Sequence, residues 1–227
     1  MKLKKLMNSK TLYYFLFAIV LLEIILSIIS VALATDSTQR DAGLSNIFLG
    51  TLAILFFSLP FLIESKFHVD IPSYLKIIVL LFIFAAIVMG NIHGLLVEVN
   101  GYDKFLHVVS GVTISIIGFE IVNYASQAKG QDRVFSPGLI SIFAFTFSMT
   151  LLVLWEFYEF FVDTLAYNLN EDTLRNMQRY QWTYHGDLFP QDYGLMDTML
   201  DLLVGFVGAA IVSFIGWRII IKNDKKV

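Results

Sequence analysis

Cysteine is absent from the 227-residue chain. Disulfides, thiolate-ligated zinc, iron–sulfur clusters and Cys-attached haem are thereby excluded, while the compartment is left open. Charge is scarce too: Asp, Glu, Lys and Arg make up 15% of the residues, against roughly a quarter in an ordinary soluble domain. With a formal net charge of −3 there is no general basic surface, so nucleic acid is not an expected partner. The chain also lacks solenoid-type repeats, low-complexity tracts, G-x-S-x-G, H-E-x-x-H and the Lys, Arg and paired-His pattern of lipid phosphatases.

What fills the chain is apolar. Hydrophobic residues make up 57% and mean hydropathy is +0.71, gathered into long runs. A spanning helix needs roughly 20 predominantly apolar residues. Six segments qualify, at about 11–34, 46–64, 73–96, 104–125, 137–165 and 196–221. The expected fold is therefore all-α: one transmembrane domain over residues 1–227, a polytopic protein embedded in the lipid bilayer. The separators TDSTQRDAG, ESKFHVDIPS, VNGYD and KGQDRVFSPG carry helix breakers. The basic start MKLKKLMNSK and the run Ala32-Leu33-Ala34 imitate a cleavable signal. The apolar core from Thr11 to Val31 is longer than the ~7–15 residues of a signal, which favours a retained helix.

Basic residues orient the spans. Lys2, Lys4, Lys5, Lys10, Lys66, Lys76, Lys129, Arg133, Arg218, Lys222, Lys225 and Lys226 fall on one side; Arg40, Lys104, Arg175 and Arg179 fall on the other. The richer side is cytoplasmic, so both termini are expected inside, segment 166–195 outside, and the protein in the cell membrane. On that topology Asp103 and His107 open the fourth span at its outer end. Glu156, Glu159 and Asp163 close the fifth, and Asp197 and Asp201 open the sixth. At about 100° per residue each helix carries its groups on one stripe. Ser110, Gly111 and Gly118 continue the fourth-span stripe, and Gly205 and Gly208 the sixth. Such small residues let helices approach closely in lipid, so these two spans are expected to pack through their acidic faces.

Three blocks carry a resemblance: YDKFLHVVSG (102–111), WEFYEF (155–160) and MDTMLDLLVGFVGA (196–209). In order and spacing they resemble the YjdF-type family of uncharacterised bacterial inner-membrane proteins. The shared pattern is D-x-x-x-H with a following Gly, E-x-x-E beside Trp, and D-x-x-x-D before a small-residue helix. It falls here on Asp103, His107, Gly111, Glu156, Glu159, Asp197, Asp201 and Gly205. VanZ-like proteins are similar more weakly, through DK-x-x-H, a Glu, and an Asp before a glycine-bearing last helix. The YjdF-type pattern tends to place Gly-Asp near a Trp ahead of D-x-x-x-D; here the stretch reads PQDYGLMD without Trp, so no role carries over to Asp192. The resemblance implies the fold and the site, and no reaction.

The chemistry of the residues leaves three classes open. One imidazole with several carboxylates suits a divalent ion such as Zn, Mn, Mg or Fe. Asp103, His107, Glu156, Glu159, Asp197 and Asp201 are the candidate ligands. Glu156, Glu159 and His107 are the candidate catalytic groups for a hydrolase or transferase acting on a lipid-linked or cell-envelope substrate. Intramembrane acids also mark ion or proton paths. Glu23 and Glu120 would extend one in a transporter, although Glu120 lies off the His107 stripe. The third class is a nonenzymatic membrane factor, with the cluster as a clasp between helices. Like charges repel there unless protons or cations intervene. His93 is either a further site member or an interfacial histidine. The aromatic segment 166–195, with Tyr167, Tyr180, Trp182, Tyr184, His185 and Phe189, reads as a lid or a headgroup-level strap. His68 is remote and cytoplasmic on this topology.

Overall fold

The computed structural model describes residues 8–127, 135–168, 177–178 and 193–224, and among them the chain is helical, with no strand. Among the described residues six helices are long and apolar enough to cross a membrane, as the hydropathy predicts. They are α1 (Ser9–Leu33), α2 (Ser37–Phe67), α3 (Ser73–Ile92), α5 (Tyr102–Gln127), α6 (Pro137–Asn168) and α7 (Tyr193–Asp224), with a single turn α4 (Leu95–Glu98) before α5. Large apolar side chains such as Phe48, Ile142, Phe161, Leu203 and Phe214 stand exposed along these helices. That is the surface a bilayer covers rather than water.

Contacts divide the chain into two compact units, Met1–Val99 and Asn100–Val227. In the first, Leu16 and Val20 of α1, Ala53 and Phe57 of α2, and Leu80 and Val88 of α3 form the core. Helix α2 begins nine residues before the expected position 46. The segment read as a separator supplies its own cap: Asp36 Oδ1 accepts from Gln39 N at 2.8 Å. Lys76, expected at the cytoplasmic surface, is buried and donates to Glu64 Oε1 at 2.7 Å, which ties α3 to α2.

The second half of α3, Phe84–Ile92, is π-helical. His93 N continues that pattern by donating to Val88 O at 2.9 Å, and Gly94 at φ 74° ends it. His93 Nε2 meets Glu23 Oε1 of α1 at 3.2 Å, so the buried-span acid of α1 has a partner inside its own unit.

The second unit is a three-helix bundle of α5, α6 and α7. Glycine is required where α5 and α7 cross. A side chain at Gly111 would run into the Gly205 carbonyl oxygen, and one at Gly208 into the Val108 carbonyl oxygen. The backbones therefore touch, as the small-residue faces predict. Ser148 of α6 adds a buried hydrogen bond to Gly111 O at 3.0 Å. Polar groups thus join the bundle where lipid offers no hydrogen-bond partner.

Candidate functional site

Gly101, at φ 80°, turns the chain into α5, and its carbonyl accepts from Phe105 N at 3.0 Å. That start places Asp103 in the first turn, where a carboxylate complements the helix dipole. His107 follows one turn later. The close α5–α7 crossing brings Asp197 and Asp201 against these residues, and α6 supplies Glu156 and Glu159. His107, Glu156, Glu159, Asp197 and Asp201 are all buried, Asp201 at 0% and Asp197 at 1% exposure. One end of the bundle therefore holds five carboxyl groups drawn from three helices.

Lys104 is the group that sequence reading missed as a site member. Its charge places it with the bases expected on the outer side, yet its ammonium points into the cluster. Its Nζ donates to Asp197 Oδ1 at 2.5 Å, Asp201 Oδ2 at 2.7 Å and Asp103 Oδ2 at 3.1 Å. The usable signal is the DK pair opening an apolar span. Neighbours one residue apart normally point to different faces of a helix. A four-carbon lysine stem in the first turn is long enough to reach round.

His107 faces a second set of contacts. Its Nε2 lies 3.6 Å from Asp103 Oδ1 and 3.7 Å from Asp201 Oδ1, and its Nδ1 lies 3.9 Å from Glu156 Oε1. These gaps exceed hydrogen-bond length. They fit edges of a coordination shell instead: two ligands bonded at ~2.1 Å stand roughly 3.4 Å apart at a tetrahedral angle, and further at wider angles. One ligand atom from each of Asp103, His107 and Asp201 lies within 4.8 Å of the others. Asp201 Oδ1 is buried with no hydrogen bond. Such groups carry a desolvation cost unless a proton or cation takes them up. Thr198 is the polar neighbour of Glu156 on α7, and its hydroxyl accepts from Gln178 Nε2 at 2.7 Å.

Carboxylates outnumber cations here. Among the described residues, the Lys104 ammonium pairs with three of the five carboxyl groups, Asp103, Asp197 and Asp201. The donor set of hard oxygens and one imidazole fits Zn, Mn, Mg or Fe.

The remaining candidates separate. Glu159 is buried and accepts from Trp155 Nε1 at 2.8 Å, one turn away. Asp163 does not join the cluster; its oxygens accept from Met177 N and Gln178 N, both at 3.0 Å. His93 is paired with Glu23 in the first unit, and Glu120 accepts from Asn123 Nδ2 at 3.3 Å. His68 ends α2 in a left-handed conformation. Lys129, Arg133, Arg175, Arg179 and Asp192 lie outside the described residues, as does most of the proposed 166–195 lid.

Comparison with known proteins adds kinship without a reaction. Residues 12–222 match a family described as "Predicted membrane protein (DUF2238)". A protein of Thermotoga maritima described as "Uncharacterized protein" is 26% identical over 159 residues, covering 70% of each chain. No solved structure matches.

Proposed function

We propose that this chain, which belongs to the DUF2238 family of predicted membrane proteins, is a divalent-metal-dependent hydrolase or transferase. Its substrate would be a lipid-linked or cell-envelope compound, met at the outer face of the cell membrane. The observation that carries the reading is His107 facing Asp103 and Asp201 at 3.6 and 3.7 Å, with Asp201 Oδ1 buried and unpartnered.

Asp103, His107 and Asp201 would hold the ion. Glu156 stands on the Nδ1 side of the imidazole at 3.9 Å, and closing that gap would let its carboxylate orient a ligating histidine. Asp197 shares the network through Lys104. Glu159, steadied by Trp155, is the carboxyl group left to accept a proton from an attacking hydroxyl or water. A bound divalent ion would polarise a phosphoryl or carbonyl oxygen and lower the pKa of water. A site at the end of membrane helices suits a substrate that keeps its chain in the bilayer while its polar head reaches the carboxylates.

Elemental analysis of the purified protein against His107→Ala tests the reading. About one divalent ion per chain should be retained by the wild type and lost from the variant. No ion in the wild type, after purification in buffers that keep weakly bound metals, would overturn it. Proton uptake in liposomes that depends on Glu23 and Glu120 would instead place the chain among transporters.

A further inference from the structure

Asp103 and Asp201 each divide their two oxygens in the same way. Their Oδ2 atoms accept from Lys104, at 3.1 and 2.7 Å, while their Oδ1 atoms face His107 Nε2, at 3.6 and 3.7 Å. Two carboxylates thus bridge two neighbouring cation positions. The first, bounded by His107, is the metal position proposed above, and the inference rests on that reading. The second is completed by Asp197 Oδ1, and there the occupant is visible: it is the Lys104 ammonium.

Paired carboxylate bridges with one terminal ligand on each side are the donor layout of a two-metal centre, in which the ions stand about 3.5–4 Å apart. Lysine is suited to replace one of them. Its ammonium is a compact point charge with three donors, and it finds three carboxylates here. Two side chains of this cage, Asp197 and Asp201, are at 1% and 0% exposure, so water contributes little to neutralising them. We infer that Lys104 is a built-in cation in the second position of a carboxylate-bridged two-cation centre, restricting the site to one exchangeable divalent ion.

The role is distinct from a surface salt bridge, which would contribute little and block nothing. It also differs from a structural clasp. A clasp predicts only lost stability when the lysine is removed, whereas a resident cation predicts that a second metal takes its place. The variant that distinguishes them is Lys104→Met, which keeps an unbranched apolar stem without the charge. Lys104→Arg keeps the charge and serves as the control.

The purified full-length chain in detergent is titrated with Mn²⁺. Bound metal is counted by equilibrium dialysis, and electron paramagnetic resonance reports whether neighbouring ions are coupled. The wild type and Lys104→Arg should bind about one Mn²⁺ with the spectrum of an isolated ion. Lys104→Met should bind about twice as much, with an exchange-coupled signal from the pair. If the wild type binds one ion and a folded Lys104→Met binds one or none, the lysine inference falls while the metal reading stands. If the wild type binds none and Lys104→Met binds one or more, the metal reading falls, and with it the claim that the lysine leaves one exchangeable position. No binding by either overturns both. Lys104→Gln, which retains a donor for Asp197, replaces the methionine variant should that one not fold, with the same expected count.

Discussion

Removing Lys104 should cost far more stability than removing one of its partners. Lys104 donates to three carboxylates, so Asp201→Asn leaves it held by Asp103 and Asp197. That variant loses one charged hydrogen bond, worth about 1.5–3 kcal/mol. It also removes one carboxylate from a cluster in which carboxylates repel, which offsets part of the loss and leaves a net cost of about 1 kcal/mol. Lys104→Met has no such offset. Three carboxylates lose their ammonium together, and two of them, Asp197 and Asp201, are shut off from water. Breaking a buried pair from one side costs about 3–5 kcal/mol. At roughly 2–4 °C per kcal/mol for a chain of this size, the melting temperature should fall by about 6–20 °C for Lys104→Met and about 2–4 °C for Asp201→Asn. The assay is thermal unfolding in detergent with chelator present, followed by tryptophan fluorescence. Excess Mn²⁺ should restore most of the loss in Lys104→Met by binding the folded state. The reasoning is refuted if Asp201→Asn in chelator melts as low as Lys104→Met, because the lysine would then not be what balances the cluster.

Other consequences concern the helix contacts and the topology. Gly111→Val should destabilise by at least the ~1–3 kcal/mol of an overpacked core, because the obstacle is the Gly205 backbone carbonyl, and metal retention should fall with it. Gly138→Ala meets nothing within 4 Å, so it should be neutral or gain up to ~1 kcal/mol of helix propensity; both are read from melting curves. Asp163→Ala removes the acceptor of two backbone amides, and hydrogen exchange at the Met177 and Gln178 amides should speed up. Because the chain has no cysteine, Thr183→Cys gives a background-free topology probe. An impermeant maleimide should label it in intact cells, and labelling from the cytoplasmic side alone would reverse the orientation.

Much of this arrangement is legible in the sequence because lipid enforces simple rules. Apolar runs of spanning length predict the six helices. The i, i+4 pairs Asp103/His107 and Asp197/Asp201 predict faces that the glycines then bring together, and Gly111 against Gly205 is that contact in atomic form. Glu23 inside α1 asks for a partner and has one in His93. What escaped the reading has physical causes. The Asp36 cap that starts α2 lies in a stretch rich in polar breakers, where hydropathy alone places no span. The π-helical run FAAIVMGNI carries no local signature that separates it from an α-helical one. The charge of Lys104 bears on topology, while its reach into the cluster depends on where α5 begins. Asp163 shares the periodicity of Glu156 and Glu159 but lies past them, where the Met177 and Gln178 amides take both its oxygens. Periodicity identifies a shared face without distinguishing which of its residues meet the neighbouring helix.

X-ray absorption at the edge of the bound metal tests the central claim most directly, because it reads the ligands as well as the presence of an ion. The spectrum of the wild type should show one imidazole nitrogen and carboxylate oxygens at about 2.0–2.2 Å, with the imidazole scattering absent from His107→Ala. A metal shell without imidazole, or one left unchanged by His107→Ala, would contradict the account.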